Sequence, residues 1–267
     1  MNMGSTLAVG LCCACAVTAR ADISDDFESY SIGSFPFHWQ DVGFRDLAHG
    51  GSSPVPSVTV QSTTGPFGTQ TQVARTIDSD QGNGLFIELA QAPIYTMSGD
   101  FRIEQYQQGA TATVSSWAVQ IGFVDTTSPD AFATIPQVGP YACAQTGGWR
   151  LFAIYQDPTL PGVDMDLGVP ATPGVWYHLD VSLVVATGVF HTRILDALSG
   201  IVLTDRDDVL PDWRPEFGAY NGEAIFDGEE FGAVGNNIAS FDNINVVPSP
   251  ATLVLLGLMP IARRRRR

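Results

Sequence analysis

The stretch Trp176-Tyr177-His178-Leu179-Asp180-Val181-Ser182-Leu183-Val184-Val185 decides the fold class. Tyr177, Leu179, Val181, Leu183 and Val185 alternate with His178, Asp180 and Ser182. That period of two sends successive side chains to opposite faces of a sheet, so this is a half-buried strand. A turn at Thr187-Gly188 follows, then Val189 to Leu195, a second turn at Ser199-Gly200, and Ile201 to Thr204. The pattern predicts a meander of three antiparallel strands.

The same alternation extends in both directions. Trp117, Val119, Ile121 and Phe123 alternate with Ala118, Gln120 and Gly122. Further strands are predicted at Leu85 to Leu89, around Phe101 and Ile103, at Trp149 to Tyr155, and at Ser240 to Val246. No dozen-residue window carries a 3.6 period with caps. The 27 glycines and 17 prolines punctuate the strands as turns, which favours a sandwich over alternating strands and helices. Strand spacing over this length predicts an all-β, two-sheet antiparallel jelly roll rather than a smaller immunoglobulin-type domain. No internal repeat or second domain boundary is visible, and Ala48 to Pro56 reads as a long loop within the domain.

The two ends read as addresses. Leu7 to Val17 is a short apolar core, and Ala19-Arg20-Ala21 places small residues where a signal peptidase reads them. Residues 1–21 are therefore expected to be a signal peptide and residues 22–246 the single folded domain. The tail, residues 247–267, joins Val247-Pro248-Ser249-Pro250 to an apolar run, Ala251 to Ala262, and an arginine block that includes Arg263, Arg264 and Arg265. Arginines beside an apolar segment stay on the cytoplasmic side of a bilayer. This three-part order resembles the sorting tail of bacterial PEP-CTERM proteins handled by exosortase, with Ser249 where that family usually has Glu. The resemblance implies an exported protein of the cell envelope or exterior, held transiently in the membrane. Its partners would be signal peptidase and an exosortase-type enzyme. Twelve helical residues rise roughly 18 Å against a hydrocarbon core of about 30 Å, so the segment suits a sorting tag better than a lasting anchor.

Charge and cysteine content narrow the function classes. The chain has 28 acidic and 13 basic residues, a net charge of −15. Without Arg20 and the terminal arginines, 7 basic residues face the 28 acids, a net charge near −21. Such a field repels nucleic acid and suits divalent cations. Only Cys143 lies outside the predicted signal peptide, so no disulfide forms within the domain.

Two motifs sharpen the architecture. Asp25-Asp26-Phe27-Glu28-Ser29-Tyr30, with Gly33 and Trp39, resembles the opening strand of concanavalin A-like (laminin-G-like) jelly rolls, and Phe241-Asp242-Asn243-Ile244-Asn245-Val246 resembles their closing strand. The resemblance implies paired first and last strands and, in many relatives, a bound glycan or calcium ion. Pairing of the ends would bring Glu28 or Asp26 toward Asp242, an oxygen-rich set suited to one structural Ca²⁺; the alternative is an acidic strand edge that resists aggregation.

Enzymes share this fold, so paired carboxylates matter. Glu223 and Asp227 stand at an even interval, but Gly228 breaks the strand and no Glu-x-Asp-x-Glu order is present. A solvated acidic turn is the better reading there, and a solvated loop at Asp164-x-Asp166. The four histidines, His38, His49, His178 and His191, have no metal-ligand spacing. For sugar binding the candidates are Trp213, in a proline-bounded loop, with Tyr220 and Asn221; the alternative for Trp213 is packing over the core's rim. The sequence thus favours a non-catalytic surface or matrix sandwich that binds polysaccharide. Its alternatives are a glycoside hydrolase or lyase on the same fold, and a purely structural surface protein.

Overall fold

A computed structural model describes residues 23–41, 58–76, 83–89, 92–105, 116–117, 120–124, 135–142, 148–154, 163–211, 213, 222–227 and 238–249. Among the described residues there are strands and no helix, hence none long and apolar enough to cross a membrane. In chain order the strands begin with β1 (Ile23–Asp25), β2 (Gln40–Asp41), β3 (Val58–Thr64), β4 (Gln70–Thr76), β5 (Asn83–Glu88) and β6 (Ile94–Gln105). They continue with β7 (Ser116–Trp117), β8 (Gln120–Val124), β9 (Ile135–Ala142), β10 (Gly148–Ile154) and β11 (Val163–Pro170). The last five are β12 (Trp176–Val184), β13 (Val189–Asp196), β14 (Val202–Val209), β15 (Gly222–Asp227) and β16 (Ile238–Ser249).

They form two antiparallel sheets of eight strands each, a jelly-roll sandwich. Sheet A runs β14, β13, β12, β6, β16, β4, β3, with β1 also on β16; sheet B runs β11, β10, β9, β8, β15, β5, β2, with β7 on β9. The predicted meander is β12, β13 and β14, with its turns at Gly188 (φ 65°) and Gly200 (φ 70°). As expected, the first and last strands pair, Ile23 opposite Val246 and Asp25 opposite Ile244.

Alternation settles which side chains meet between the sheets. Sheet A contributes Tyr95, Phe101, Leu179, Leu183, Phe190, Phe241 and Ile244, and sheet B contributes Leu85, Ile121, Phe123, Trp149 and Leu151, all 0–1% exposed. Each is worth about 1.5–3 kcal/mol of burial. Aromatic rings bridge the layers: Tyr95 to Phe123 at 5.5 Å, Phe123 to Phe190 at 6.4 Å, and Trp149 to Tyr177 at 5.4 Å between centroids.

Three expectations change. The opening motif is a strand only to Asp25, whose carboxylate accepts from the Phe27 N–H (2.9 Å), the Tyr30 hydroxyl (2.6 Å) and the Trp39 indole (2.9 Å). Those bonds turn the backbone away from the sheet, with Phe27 at φ 57°. Asp164 and Asp166 lie in β11 rather than in a loop, and Asp166 accepts from the Gly168 N–H. The last strand runs beyond Val246, carrying Val247, Pro248 and Ser249 opposite Thr96, Tyr95 and Ile94. The Ala48 to Pro56 loop lies outside the described residues.

Candidate functional site

The acidic candidates converge where β1 turns away from β16. Asp242 is 2% exposed. Its Oδ1 accepts from the following Asn243 N–H at 2.8 Å, a contact made by Asn243 adopting φ 52°. Glu28 Oε1 accepts from the Thr71 hydroxyl (2.6 Å) and the Gln72 N–H (2.8 Å), while Asp242 Oδ2 lies 3.5 Å from the same hydroxyl. One hydroxyl proton serves one carboxylate, and the shorter contact takes it. Asp26 caps its own turn, accepting from the Glu28 N–H at 3.2 Å.

Asp100, opposite Asp242 on β6, is the better served of the two. It accepts from Asn243 Nδ2 (2.7 Å) and pairs with His178 Nδ1 (2.7 Å). Hydrogen bonds to Asp100 and Asp180 raise the His178 pKa to about 9, so the ring is charged at neutral pH. Asp242 has no such cation. Burial first, then the charges of Asp100, Glu28 and Asp26, push its carboxyl up to about 7 against the opposing pull of the Asn243 N–H. A buried carboxylate crowded by other acids suits a hard cation. Even so, no group of three or more His, Cys, Asp or Glu among the described residues is arranged to hold a metal ion. Calcium here would have to draw on Glu28 and Asp242 together with main-chain oxygens.

The second candidate is the outer face of sheet B. Leu85, Ile121 and Leu151 are fully buried, which fixes the inner set of positions. The alternate set forms one register row across the sheet: Gln40 opposite Phe86, Phe86 opposite Ala224, Ala224 opposite Gly122, Gly122 opposite Gln137, Gln137 opposite Phe152, and Phe152 opposite Asp164. Beside it, Gly84 and Gln120 flank Phe226, and Gly139 and Asp166 flank Arg150. Along the row, Ala224 and Gly122 stand between Gln40 and Phe86 on one side and Gln137, Phe152 and Asp164 on the other. Glu223 and Asp227 belong to the other set. Theirs is the register set of Ile225, which stands opposite Leu85 and Ile121.

Trp213 packs against the core, and its indole donates to the Val185 carbonyl at 2.7 Å. A Cβ on Gly188 would lie 2.2 Å from its ring. The indole therefore seats on the β12–β13 turn, the packing alternative of the sequence reading. Tyr220, Asn221, Cys143, Pro250, Arg263, Arg264 and Arg265 lie outside the described residues. The sheet B row escaped sequence reasoning because its members come from seven separate strands. Only the Gln120 to Phe123 alternation hinted at it.

No protein-family model matches the chain, and no curated protein matches it. Several solved structures are similar in shape. An alginate lyase from Pseudomonas aeruginosa is 13% identical over 78% of this chain and 91% of its own, with a TM-score of 0.45. A cellulose-induced protein is 16% identical over 85% of this chain and 98% of its own, at 0.47. Arcelin-5, a lectin-like defence protein from Phaseolus vulgaris, is 9% identical over 78% and 97%, at 0.43.

Proposed function

We propose that this is an exported, non-catalytic β-sandwich of the cell envelope or extracellular matrix that binds polysaccharide on the outer face of sheet B. The observation that carries the reading is the row Gln40, Phe86, Ala224, Gly122, Gln137, Phe152, Asp164. Phenyl rings stack on sugar faces and carboxamides bond hydroxyls. The net charge of −15 favours neutral glycans over polyanions. The acidic pair considered for a hydrolase, Glu223 and Asp227, falls in the other register set of β15.

The test is glycan-array binding followed by titration with the best neutral glucan. Phe152→Ala and Gln137→Ala should each weaken binding by about tenfold, roughly 1.4 kcal/mol. Trp213→Ala should change affinity little in whatever fraction stays folded. Reducing-sugar release or unsaturated products that vanish in Glu223→Gln would establish the enzymatic alternative instead. A silent array would leave the purely structural reading.

A structural calcium ion at Glu28 and Asp242 accompanies this proposal. It is supported by the buried Asp242 carboxylate, which has acidic neighbours and no cationic partner comparable to His178 on Asp100. Bound calcium would neutralise that crowd and tie the first turn to the last strand. Chelation should then lower the melting temperature, and an unchanged midpoint across a wide range of free calcium would exclude the ion.

A further inference from the structure

The first and last described strands lie side by side: β1 is antiparallel to β16, with Ile23 opposite Val246. At that end of sheet A, one register row crosses five strands: Ser249 opposite Ile94, Ile94 opposite Val184, Val184 opposite Val189, and Val189 opposite Val209. None of these residues is charged. Val209 is 65% exposed, and Pro93 and Ala186 beside the row are exposed too. The next row inward holds Asp208, paired with Arg206, opposite the buried Phe190; the second carries His191 paired with Asp207 at 2.8 Å, and the fourth Arg193 between Asp180 and Asp205. A chain with net charge −15 thus carries an uncharged, mostly aliphatic row at the Ser249 end of sheet A.

We infer that this end of sheet A is a membrane-contact surface, seated on the phospholipid bilayer while the precursor is still tethered. The inference rests on the reading of the tail as a membrane-inserted sorting segment. Distance then leaves little choice. Only Pro250 separates Ser249, the last paired residue, from the apolar run that starts at Ala251. Two residues of extended chain span at most about 7 Å. The predicted signal-peptide core ends at Val17, six residues before Ile23, a reach of roughly 20 Å. Whatever part of the domain surrounds Ser249 is thus pressed to the lipid surface. An acidic surface there would be repelled by anionic head groups, whereas Ile94, Val184, Val189 and Val209 gain by leaving water. Trp213, bonded to Val185 at the same end, has the amphipathic indole that suits an interface.

The test uses the full chain, its native cysteines replaced by serine, with vesicles of phosphatidylcholine and phosphatidylglycerol. An environment-sensitive fluorophore is placed at Val209→Cys or at Leu198→Cys. The two positions are similarly exposed, at 65% and 72%, but Val209 stands opposite Val189 at the start of β13 whereas Leu198 lies in the turn after its end. The probe at 209 should lose at least about half its emission to lipids brominated near the carbonyl, the depth reached by interfacial groups. The probe at 198 should keep its emission. Ala186→Cys, in the exposed turn at the Val209 end, should repeat the quenching if the first variant folds poorly. Flotation with the vesicles but equal behaviour at both ends, or quenching at 198 alone, overturns this inference and leaves the tail reading intact. Failure to float overturns both.

Discussion

Asp242 and Asp100 face each other across two strands, and only Asp100 has a charged partner. That difference sets a pH dependence. A carboxyl whose folded pKa is raised stabilises the fold when protonated, so Asp242 adds stability at low pH and loses it as pH climbs from its ordinary value of 3.8 to about 7. His178, raised from 6.5 to about 9, stabilises the fold while charged and loses that contribution between those two values. Both groups therefore favour mildly acidic conditions. In chelator at pH 8, Asp242→Asn should raise stability by about 1–3 kcal/mol, because it removes a buried uncompensated charge. In calcium the same variant should lose whatever stabilisation the ion confers. Thermal denaturation at pH 5 and pH 8, with and without calcium, measures all of this. Gly188 is a second single-residue control. At φ 65°, with Trp213 filling the Cβ position, Gly188→Ala should cost about 2–4 kcal/mol by chemical denaturation. The sequence marked Asp242 as an acidic candidate and Gly188 as a turn, but not which aspartate lacks a cation or what fills the turn, since Asp25, Asp26, Asp100 and Asp242 look alike until the fold allots them different partners.

Strands were legible in proportion to their alternation. β12 and β13 show it in full, each interleaving buried residues with His178, Asp180, His191 and Arg193. β3 and β4 do not, because burial is confined to one half of each and the rest, Gln61 to Thr64 and Gln70 to Gln72, is polar hairpin. β9 hides behind Pro136 and Pro140, and β11 behind Asp164 and Asp166. β14 extends five residues past the expected Thr204, because Asp205 and Asp207 look like loop residues but serve as partners of His191 and Arg193 on the neighbouring strand. They also guard the free edge of sheet A, where Val202, Leu203 and Val209 are exposed. Antiparallel pairing of two such edges would oppose acid to acid. Replacing both with asparagine should therefore raise the weight-average mass in sedimentation velocity at neutral pH, and an unchanged mass would deny these carboxylates a guarding role.

At the scale of the molecule, fold class and the pairing of the chain ends could be anticipated, whereas the sheet B face could not. Phe86, Gln137, Phe152 and Ala224 are brought into one row by strand order alone, and no local pattern encodes that order. Most of the architecture is non-local, which points to slow folding. A chain stopped before Ile238 lacks β16, the strand between β6 and β4. Such a truncation should show no cooperative unfolding transition, and a sharp one would mean that sheet A closes by some other pairing.

Because β16 is the last strand among the described residues yet occupies the interior of its sheet, a domain exported as proposed would not be completed piecemeal as it emerged from a translocation channel. Two half-built slabs must wait, their apolar faces open, until the closing ribbon arrives. A holdase in the receiving compartment, or a pause that keeps the trailing end within reach, would shorten that exposed interval.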